Sequence, residues 1–412
     1  MGITSLRNLK TFDSFKNPVY RLYYLSTAAQ WASGSMQMVA RSLLVYRITG
    51  SGAILGSLAL AQALPLLFLS LFGGVIADRT QKKHVLLFGQ ASAIFVALGI
   101  GFSLSTGYLS AEHAGSWWVL LVAALLQGIT GGLTQPSRAA IIREIVRDDQ
   151  VMNAVSLSNM GQNAFQLLGP AVGGLVLEAF GFTSLYFIMS GIYLISVACL
   201  VLMPRTRTIT IGGSNLVREI SEGFRYVRRE TPIMLVLLFA LISSVLGMPI
   251  IQILPIFTED ILKVGATGLG LLMSATGLGA LVGSLVFASL PSRKRGLIFL
   301  LSGVGIGIAL ISFSLSNWWL LSLVLIVVYG LARTGKVTLE NALLQSYAQA
   351  DYRGRVMSLL TMQMSFASFG VFFAGILAEV VGVQWAIGGL AGVLTVVSLL
   401  MWAFTPKLRD LD

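Results

Sequence analysis

"GGVIADRTQKK", residues 73–83, places acidic and basic side chains between two apolar runs of the sequence. The run before it ends near residue 76, and the next begins at Val85. Each run is long enough to cross the ~30 Å hydrocarbon core of a bilayer as a helix. A short charged segment between two such runs predicts a pair of membrane helices joined at one surface.

The rest of the chain repeats this alternation of apolar runs and short polar segments. Of its 412 residues, 56% are hydrophobic and 11% are charged, whereas soluble proteins carry about 25% charged residues. The predicted spans cover residues 21–46, 54–76, 85–104, 117–136, 151–179, 183–203, 232–257, 266–290, 297–315, 318–339, 355–380 and 384–404. Because lipid offers backbone groups no hydrogen-bond partner, these spans are expected to be helices. The sequence predicts an all-α membrane protein with twelve transmembrane helices.

Basic residues are concentrated on one side of this topology. The net charge is +11, and with both termini inside, most Lys and Arg residues fall in the termini or the cytoplasmic loops. The exceptions are Arg41, Arg47, Lys263, Arg333 and Lys336. This distribution follows the positive-inside rule of membrane proteins. The excess positive charge is therefore attributed to topology and not to nucleic-acid binding, and both termini are expected in the cytoplasm.

The longest polar stretch follows the sixth span. Residues 204–231 combine apolar residues at helical spacing with arginines, which predicts a cytoplasmic linker with an amphipathic helix on the inner membrane surface. The linker is predicted to join an N-terminal six-helix half, residues 1–203 with their basic N-terminal segment, to a C-terminal six-helix half, residues 232–412. Matches at a fixed offset, such as Asp149 with Asp351, indicate two pseudo-symmetric halves. Parallel halves around a midplane site are one transporter architecture.

The loop at residues 73–83 resembles the cytoplasmic loop signature of the major facilitator superfamily. The residues that carry the resemblance are Gly74, Ala77, Asp78, Arg79, Lys82 and Lys83. The resemblance implies a gating motif, in which the acid joins a charge network between the two halves and the basic residues complete it. Gln81 departs from the signature, which has a second Gly there, and the second half has Ser292 where the acid would be. The alternative is a solvated loop, which explains the lysines better than it explains Asp78.

The fifth span contains Gly-Pro and Gly-Gly pairs within one predicted helix. The residues of this pattern are Gly161, Gly169, Pro170, Gly173 and Gly174. Proline removes a backbone hydrogen bond and bends a helix, and Gly at four-residue spacing permits close helix approach. The pattern resembles the antiporter motif of the superfamily's exporters, and generic helix packing is the alternative. Residues 136–174 and 342–362 resemble the branch with bacterial macrolide-efflux and enterobactin-export proteins, which implies a bacterial inner-membrane exporter.

Uncharged polar residues inside the spans are the candidates for a substrate cavity. One face of the fifth span carries Asn159, Gln162, Asn163 and Gln166, and such a face is costly in lipid. Further candidates from other spans are Gln30, Trp31, Gln37, Arg41, Gln252, Gln363 and Met364. Interhelical hydrogen bonding is the alternative, and for Arg41 it is snorkelling to the surface. Amides, Met and aromatic residues favour an amphipathic organic substrate over an inorganic ion.

The densest charged cluster within a span lies in "ARTGKVTLEN", residues 332–341. Arg333, Lys336 and Glu340 share one helical face because they are three and four residues apart. One interpretation is a cytoplasmic helix end, where the cations snorkel and Glu340 pairs with Lys336. The other is that these residues line an inner cavity, where the cations attract an anionic group of the substrate. Intramembrane ionisable residues favour a functional role.

The residues themselves do not identify a driving ion. Many proton-coupled members of the superfamily carry Arg three residues before a Gln-Gly pair in the fourth span, where this chain has Ala124. No carboxylate lies near the middle of a predicted span. Proton coupling is therefore implied by the resemblance alone, and uniport or another driving ion stays open.

The sequence together with this resemblance implies a secondary active transporter that exports an amphipathic small organic molecule, drug-like or siderophore-like, by alternating access. Its expected partners are this substrate and membrane lipids, with protons as the coupling ion that the resemblance implies, and the chain is expected to act as a monomer. Cys199 is alone, and His84 and His113 are too few for a metal site, so neither an enzyme nor a cofactor is expected. A lipid or lysolipid flippase and a non-transporting membrane sensor or scaffold stay open as alternatives.

Overall fold

The computed structural model describes residues 12–113, 115–204, 216–289 and 293–412. Within these ranges, the side chains of residues 71–79, 139, 216–220 and 364 lie outside the description. The described residues form helices and no strands. The part of the chain that the structure describes is therefore all-α.

The helices follow the predicted spans closely. They are α1 (Pro18–Thr49), α2 (Gly52–Arg79), α3 (Lys82–Ser105), α4 (Trp118–Ile145), α5 (Val151–Leu202), α6 (Leu216–Arg229), α7 (Thr231–Gly247), α8 (Pro249–Ile256), α9 (Gly265–Ala288), α10 (Arg295–Ser314), α11 (Trp319–Tyr347), α12 (Arg353–Val381), α13 (Val383–Phe404) and α14 (Pro406–Arg409). Each predicted span lies largely within one helix or, for the seventh, within α7 and α8.

Ten stretches of the described residues are long and apolar enough to cross a membrane. One of them, Asp148–Leu202, contains both the fifth and the sixth predicted span. The 32-residue α1 is not among the ten, because Gln30, Gln37 and Arg41 lower its hydropathy. Counting α1 and both spans of α5, the described residues confirm the all-α fold with twelve membrane helices.

The fifth and sixth spans meet at a glycine corner inside α5. Gly181 has φ 75° and ψ 174°, a conformation that a residue with a Cβ atom rarely adopts. The chain therefore turns from one span into the next without a polar loop.

The seventh predicted span is interrupted, which its apolar sequence did not reveal. α7 ends at Gly247, α8 starts at Pro249, and a π-helical turn follows at Phe257–Ile261. Proline has no backbone N–H to continue the hydrogen-bond ladder. The Tyr329 hydroxyl donates to the Gly247 carbonyl at 3.0 Å, so this break receives a partner from α11.

The described residues form two compact units. Unit 1 comprises the described residues of Met1–Ala40 and Leu64–Gly213, and unit 2 comprises those of Arg41–Ala63 and Ser214–Asp412. Both unit boundaries in the first half fall inside α1 and α2. The division into halves and a linker at residues 204–231 follows chain order and stays a prediction.

The core of unit 1 forms where α1, α3, α4 and the end of α5 meet. Tyr20, Leu86, Ile141 and Leu200 are almost fully buried there. The Tyr20 hydroxyl donates to the Ala154 carbonyl at 2.8 Å, which ties α1 to the start of α5. This packing fixes the beginning of α3, where the charged loop ends.

The core of unit 2 lies among α7, α10, α11, α12 and the C-terminus. Phe239 and Phe299 meet edge-on within it, with ring centroids 4.9 Å apart. The amphipathic helix α6 is also part of this unit, because Tyr226 is buried and stacks on Tyr352 at 4.2 Å. The described part of the linker therefore packs against protein, and this core holds α11 and α12 in place.

Candidate functional site

A cavity of about 270 Å³ lies within unit 2, among α7, α10, α11 and α12. Its lining residues are Ser243, Ser244, Gly247, Met248, Ile306, Tyr329, Arg333, Lys336, Val337, Glu340, Asn341, Met357, Leu360, Thr361 and Gln363. Most of these lining residues are polar or charged, and the rest are apolar. Small-molecule sites also combine the two kinds of surface, although most of them are more apolar.

A buried ion pair forms one wall of the cavity. Lys336 Nζ lies 2.6 Å from Glu340 Oε2, one helical turn away, and the two side chains are 5% and 2% exposed. Lys336 also donates to the Ala240 carbonyl at 3.2 Å and to Ser244 Oγ at 3.1 Å. Gln363 Nε2 donates to the other carboxylate oxygen, Glu340 Oε1. The pairing that the sequence predicted is present, and Lys336 points into the protein, so it does not snorkel to the surface.

Arg333 lies one turn before Lys336 and lines the same cavity. Its Nε atom is buried, and it has no hydrogen-bond partner among the described residues. A buried donor without a partner costs about 1–3 kcal/mol. Such groups are uncommon in folded proteins and call for an explanation, which makes Arg333 the first candidate for ligand contact.

The two lysines of the 73–83 loop are buried in unit 1. Lys82 Nζ pairs with Glu144 on α4, and the side chains are 4% and 3% exposed. Lys83 Nζ donates to the Val201 carbonyl at 2.9 Å and to the Met203 carbonyl. The alternative of a solvated loop therefore fails for these lysines, and both have partners within unit 1.

The remaining side chains of the gating motif lie outside the described residues. These are Asp78 and Arg79, together with the position of Gly74. The gating role of the motif stays a prediction. The sequence reading missed Glu144 as the partner of Lys82, although an acid near the end of the fourth span offered a signal.

The fifth-span glycines face α1. A Cβ atom at Gly173 would lie 2.9 Å from Met36 Cα, and one at Gly161 would lie 2.9 Å from the Trp31 ring. Gly169, Pro170 and Gly174 are buried beside them. The sequence pattern therefore coincides with close approach of α5 to α1.

We expect Gly173→Leu to slow transport about tenfold, because overpacking a tight site costs roughly 1–3 kcal/mol. The nearest atom, Met36 Cα, belongs to the backbone of α1, so it cannot move aside as a side chain could. Initial transport rates in membrane vesicles at equal protein levels measure the effect. Gly191→Leu is the matched control, because a Cβ at Gly191 meets nothing within 4 Å. Equal rates for the two variants would contradict the packing role.

The other predicted cavity residues do not join the cavity of unit 2. The amides of the fifth span, Asn159, Gln162, Asn163 and Gln166, are exposed and have no hydrogen-bond partner in the described part of the chain. Gln30 accepts from Gln90 Nε2 at 2.6 Å, and Trp31 packs 6.4 Å from the Phe165 ring. These residues and the half-buried Gln37 belong to unit 1.

Two predicted candidates in unit 2, Arg41 and Gln252, also lie apart from the cavity lining. Arg41 donates to Gln62 Oε1 at 2.7 Å, so it has a partner on α2. Gln252 is half-buried on α8. The side chain of Met364 lies outside the described residues. Of the sequence candidates, the structure thus brings together Arg333, Lys336, Glu340 and Gln363.

A second polar cluster, which sequence reasoning missed, surrounds the turn between α1 and α2. We call it the turn clasp. Its contacts are Tyr46 Oη to Asp260 Oδ2 at 2.5 Å, Arg47 Nη2 to Glu259 Oε1 at 2.9 Å, and Ser51 Oγ to Glu379. Beside them, a Cβ at Gly52 would lie 2.7 Å from the Gly375 carbonyl oxygen. The clasp fastens the α1–α2 turn to α12 and to the π turn within unit 2.

Comparison with known proteins agrees with this architecture. A sequence model described as "Transmembrane secretion effector" matches residues 9–412. The chain is 21% identical to macrolide efflux protein A of Streptococcus pyogenes over 408 residues, which cover 95% of this chain and 99% of that protein. It is 25% identical to the enterobactin exporter EntS of Shigella boydii serotype 4 over 351 residues, which cover 84% of this chain and 82% of that protein.

The same fold occurs in a solved transporter structure. The crystal structure of the nucleoside transporter NupG superposes with a TM-score of 0.74, covering 93% of this chain and all of that one, at 11% sequence identity. At this identity the likeness shows the fold alone.

Proposed function

The chain belongs to the transmembrane secretion effector family of the major facilitator superfamily, and on that premise we propose that it exports an amphipathic small organic molecule. The family and the relatives are transporters, so this multi-pass membrane protein is a transporter and not an enzyme. Export and the chemical character of the substrate are the proposed part.

The cavity in unit 2 is the observation that carries the proposal. Met248, Ile306 and Leu360 offer apolar contact, and Arg333 and Gln363 offer polar contact in the same space. An amphipathic molecule needs both kinds of surface. The names of two relatives, a macrolide efflux protein and an enterobactin exporter, support an organic substrate and outward direction.

The proposal also covers the membrane location of the protein, its topology and its transport cycle. The protein acts as a monomer in a bacterial inner membrane, with both termini in the cytoplasm, and works by alternating access coupled to protons. The fold supports alternating access, which is the common cycle of such transporters. The 73–83 motif is proposed to bias which side is closed.

Export is tested in a bacterial host that lacks its main efflux pumps. Cells that express the protein are expected to accumulate less of at least one macrolide, siderophore or amphipathic dye than cells with an empty vector. Everted membrane vesicles are expected to take up the same compound, and faster with an imposed proton gradient.

Two outcomes would contradict the proposal. Vesicles that accumulate none of these compounds but move a labelled lysolipid between leaflets would support the flippase alternative. Normal insertion with neither activity would support a sensor or scaffold.

A further inference from the structure

We infer that the cavity in unit 2 is an anion-binding half-site, which holds a single anionic group of the substrate on Arg333 and Lys336. Glu340 is the resident anion that occupies Lys336 until the substrate arrives. The inference rests on the proposed export function and names the chemical class of its substrate.

Arg333 carries a charged guanidinium group with a buried donor that lacks a partner among the described residues. The guanidinium group is always charged in proteins, and the donor is its Nε atom. A charged group inside a membrane protein is stable only when an anion or hydrogen-bond acceptors compensate it. A carboxylate in the cavity would provide both, because its two oxygens match the fork of donors on Arg.

The charges that line the cavity define the ligand's charge. Lys336 and Glu340 neutralise each other at 2.6 Å, and Tyr329 is neutral at physiological pH. Arg333 is left as one uncompensated positive charge among the described lining residues. The site therefore favours a ligand group with one negative charge.

Glu340 is placed to compete with that ligand. Its carboxylate contacts Lys336 through one oxygen and Gln363 through the other. A ligand carboxylate beside Arg333 would be repelled by Glu340 and attracted by Lys336. Removing the charge of Glu340 should therefore strengthen anion binding, whereas removing either cation should weaken it.

The size of the cavity limits what else it holds. A volume of about 270 Å³ lies just below the roughly 300–1,000 Å³ of typical ligand pockets. Met248, Ile306, Met357 and Leu360 surround the charged wall. The half-site thus fits an anionic head with an adjoining ring or short chain, and the rest of a larger substrate lies outside it.

The test measures binding to the purified full chain with two probes of one shape, 2-naphthoate and 2-naphthamide. Loss of one charge-assisted hydrogen bond predicts that Arg333→Gln weakens naphthoate binding about 10- to 150-fold, with naphthamide binding weakened by a smaller factor of about 2- to 13-fold. Glu340→Gln is expected to strengthen naphthoate binding and leave naphthamide binding unchanged. Lys407→Gln is the matched control, because it removes an exposed cation outside the cavity.

Thermal unfolding of each variant reports whether it is folded. If Arg333→Gln does not fold, Arg333→Lys replaces it in the binding measurement. The Arg333→Lys variant keeps the positive charge but loses the paired N–H donors of the guanidinium group, so a partial loss of naphthoate binding is expected. The inference is overturned if the wild type binds no naphthoate, if Arg333→Gln weakens both probes equally, or if Glu340→Gln weakens naphthoate binding.

These outcomes are separable from the export assay. Continued export of a neutral compound by a chain that does not bind naphthoate would reject the half-site and keep the proposed function. Naphthoate binding without export of any compound would keep the half-site and reject the proposed export function.

Discussion

Glu144→Leu is expected to lower the free energy of unfolding by about 3–5 kcal/mol, because Lys82 would stay buried without its anion. The pair is almost free of solvent, with side chains 4% and 3% exposed. Coulomb attraction is weakly screened at such a site, and water cannot replace the lost partner. Lys82→Met is expected to cost a similar amount, since it leaves the carboxylate uncompensated.

The double variant Lys82→Met/Glu144→Leu separates charge pairing from packing. Replacing a whole buried ion pair with apolar residues is often neutral or stabilising, so the double variant should recover most of the loss. Equilibrium unfolding in mixed micelles gives the four free energies of the cycle. Additive losses in the double variant would mean that the two side chains act independently and would reject the pairing.

Transport by the double variant then addresses the gating motif. If the stable double variant transports normally, Lys82 serves the fold of unit 1. If it is stable and inactive, Lys82 has a role in the cycle beyond its pairing with Glu144.

Gly375→Leu is expected to reduce transport about 5- to 150-fold, the equivalent of the roughly 1–3 kcal/mol that overpacking costs. Gly375 and Gly52 approach each other through their backbones at the turn clasp, and a Cβ on either would press on a carbonyl group of the other. A backbone carbonyl in a helix end has no rotamer by which to move away. The side chain would therefore push the α1–α2 turn from α12.

The ion pair of the clasp should matter less than its glycines. Arg47 is 40% exposed and Glu259 is 24% exposed, and exposed pairs contribute about 0–1 kcal/mol. Arg47→Gln is therefore expected to change the transport rate only slightly. The glycine contact, and not the salt bridge, dominates the strength of the clasp.

Vesicle transport rates at equal protein levels measure the effect of Gly375→Leu. Gly389→Leu is the matched control, because a Cβ there meets nothing within 4 Å. A wild-type rate for Gly375→Leu, or an equal loss for Gly389→Leu, would contradict a role for the close approach.

Hydropathy was sufficient to predict the spans other than the first, whose polar residues lower its hydropathy, because lipid leaves the backbone few alternatives to a helix. It did not predict how spans begin, break or join. Nothing in the residues around Gly181 distinguishes a helix corner from a short loop. Pro249 signals a weakened helix, but the hydrogen bond that the break receives comes from Tyr329, which is distant in sequence.

The candidate site was predicted to the extent that it lies on one helix. The spacing of Arg333, Lys336 and Glu340 gave their common face and the Lys336–Glu340 pair. Helical spacing carries no information about neighbouring helices, so the contacts from Ser244 and Gln363 came only from the structure. For the same reason the contacts of the turn clasp, which join residues more than 200 positions apart, were missed.

Lys83 has a consequence for how the first half of the chain is made. Its acceptors, the carbonyls of Val201 and Met203, are at the end of the sixth span. During synthesis Lys83 leaves the ribosome long before these carbonyls do. A nascent chain that ends after its fifth span therefore lacks both acceptors, and the ammonium group is left to water or lipid headgroups. The start of the third span reaches its final hydrogen bonding only once the sixth span has been made.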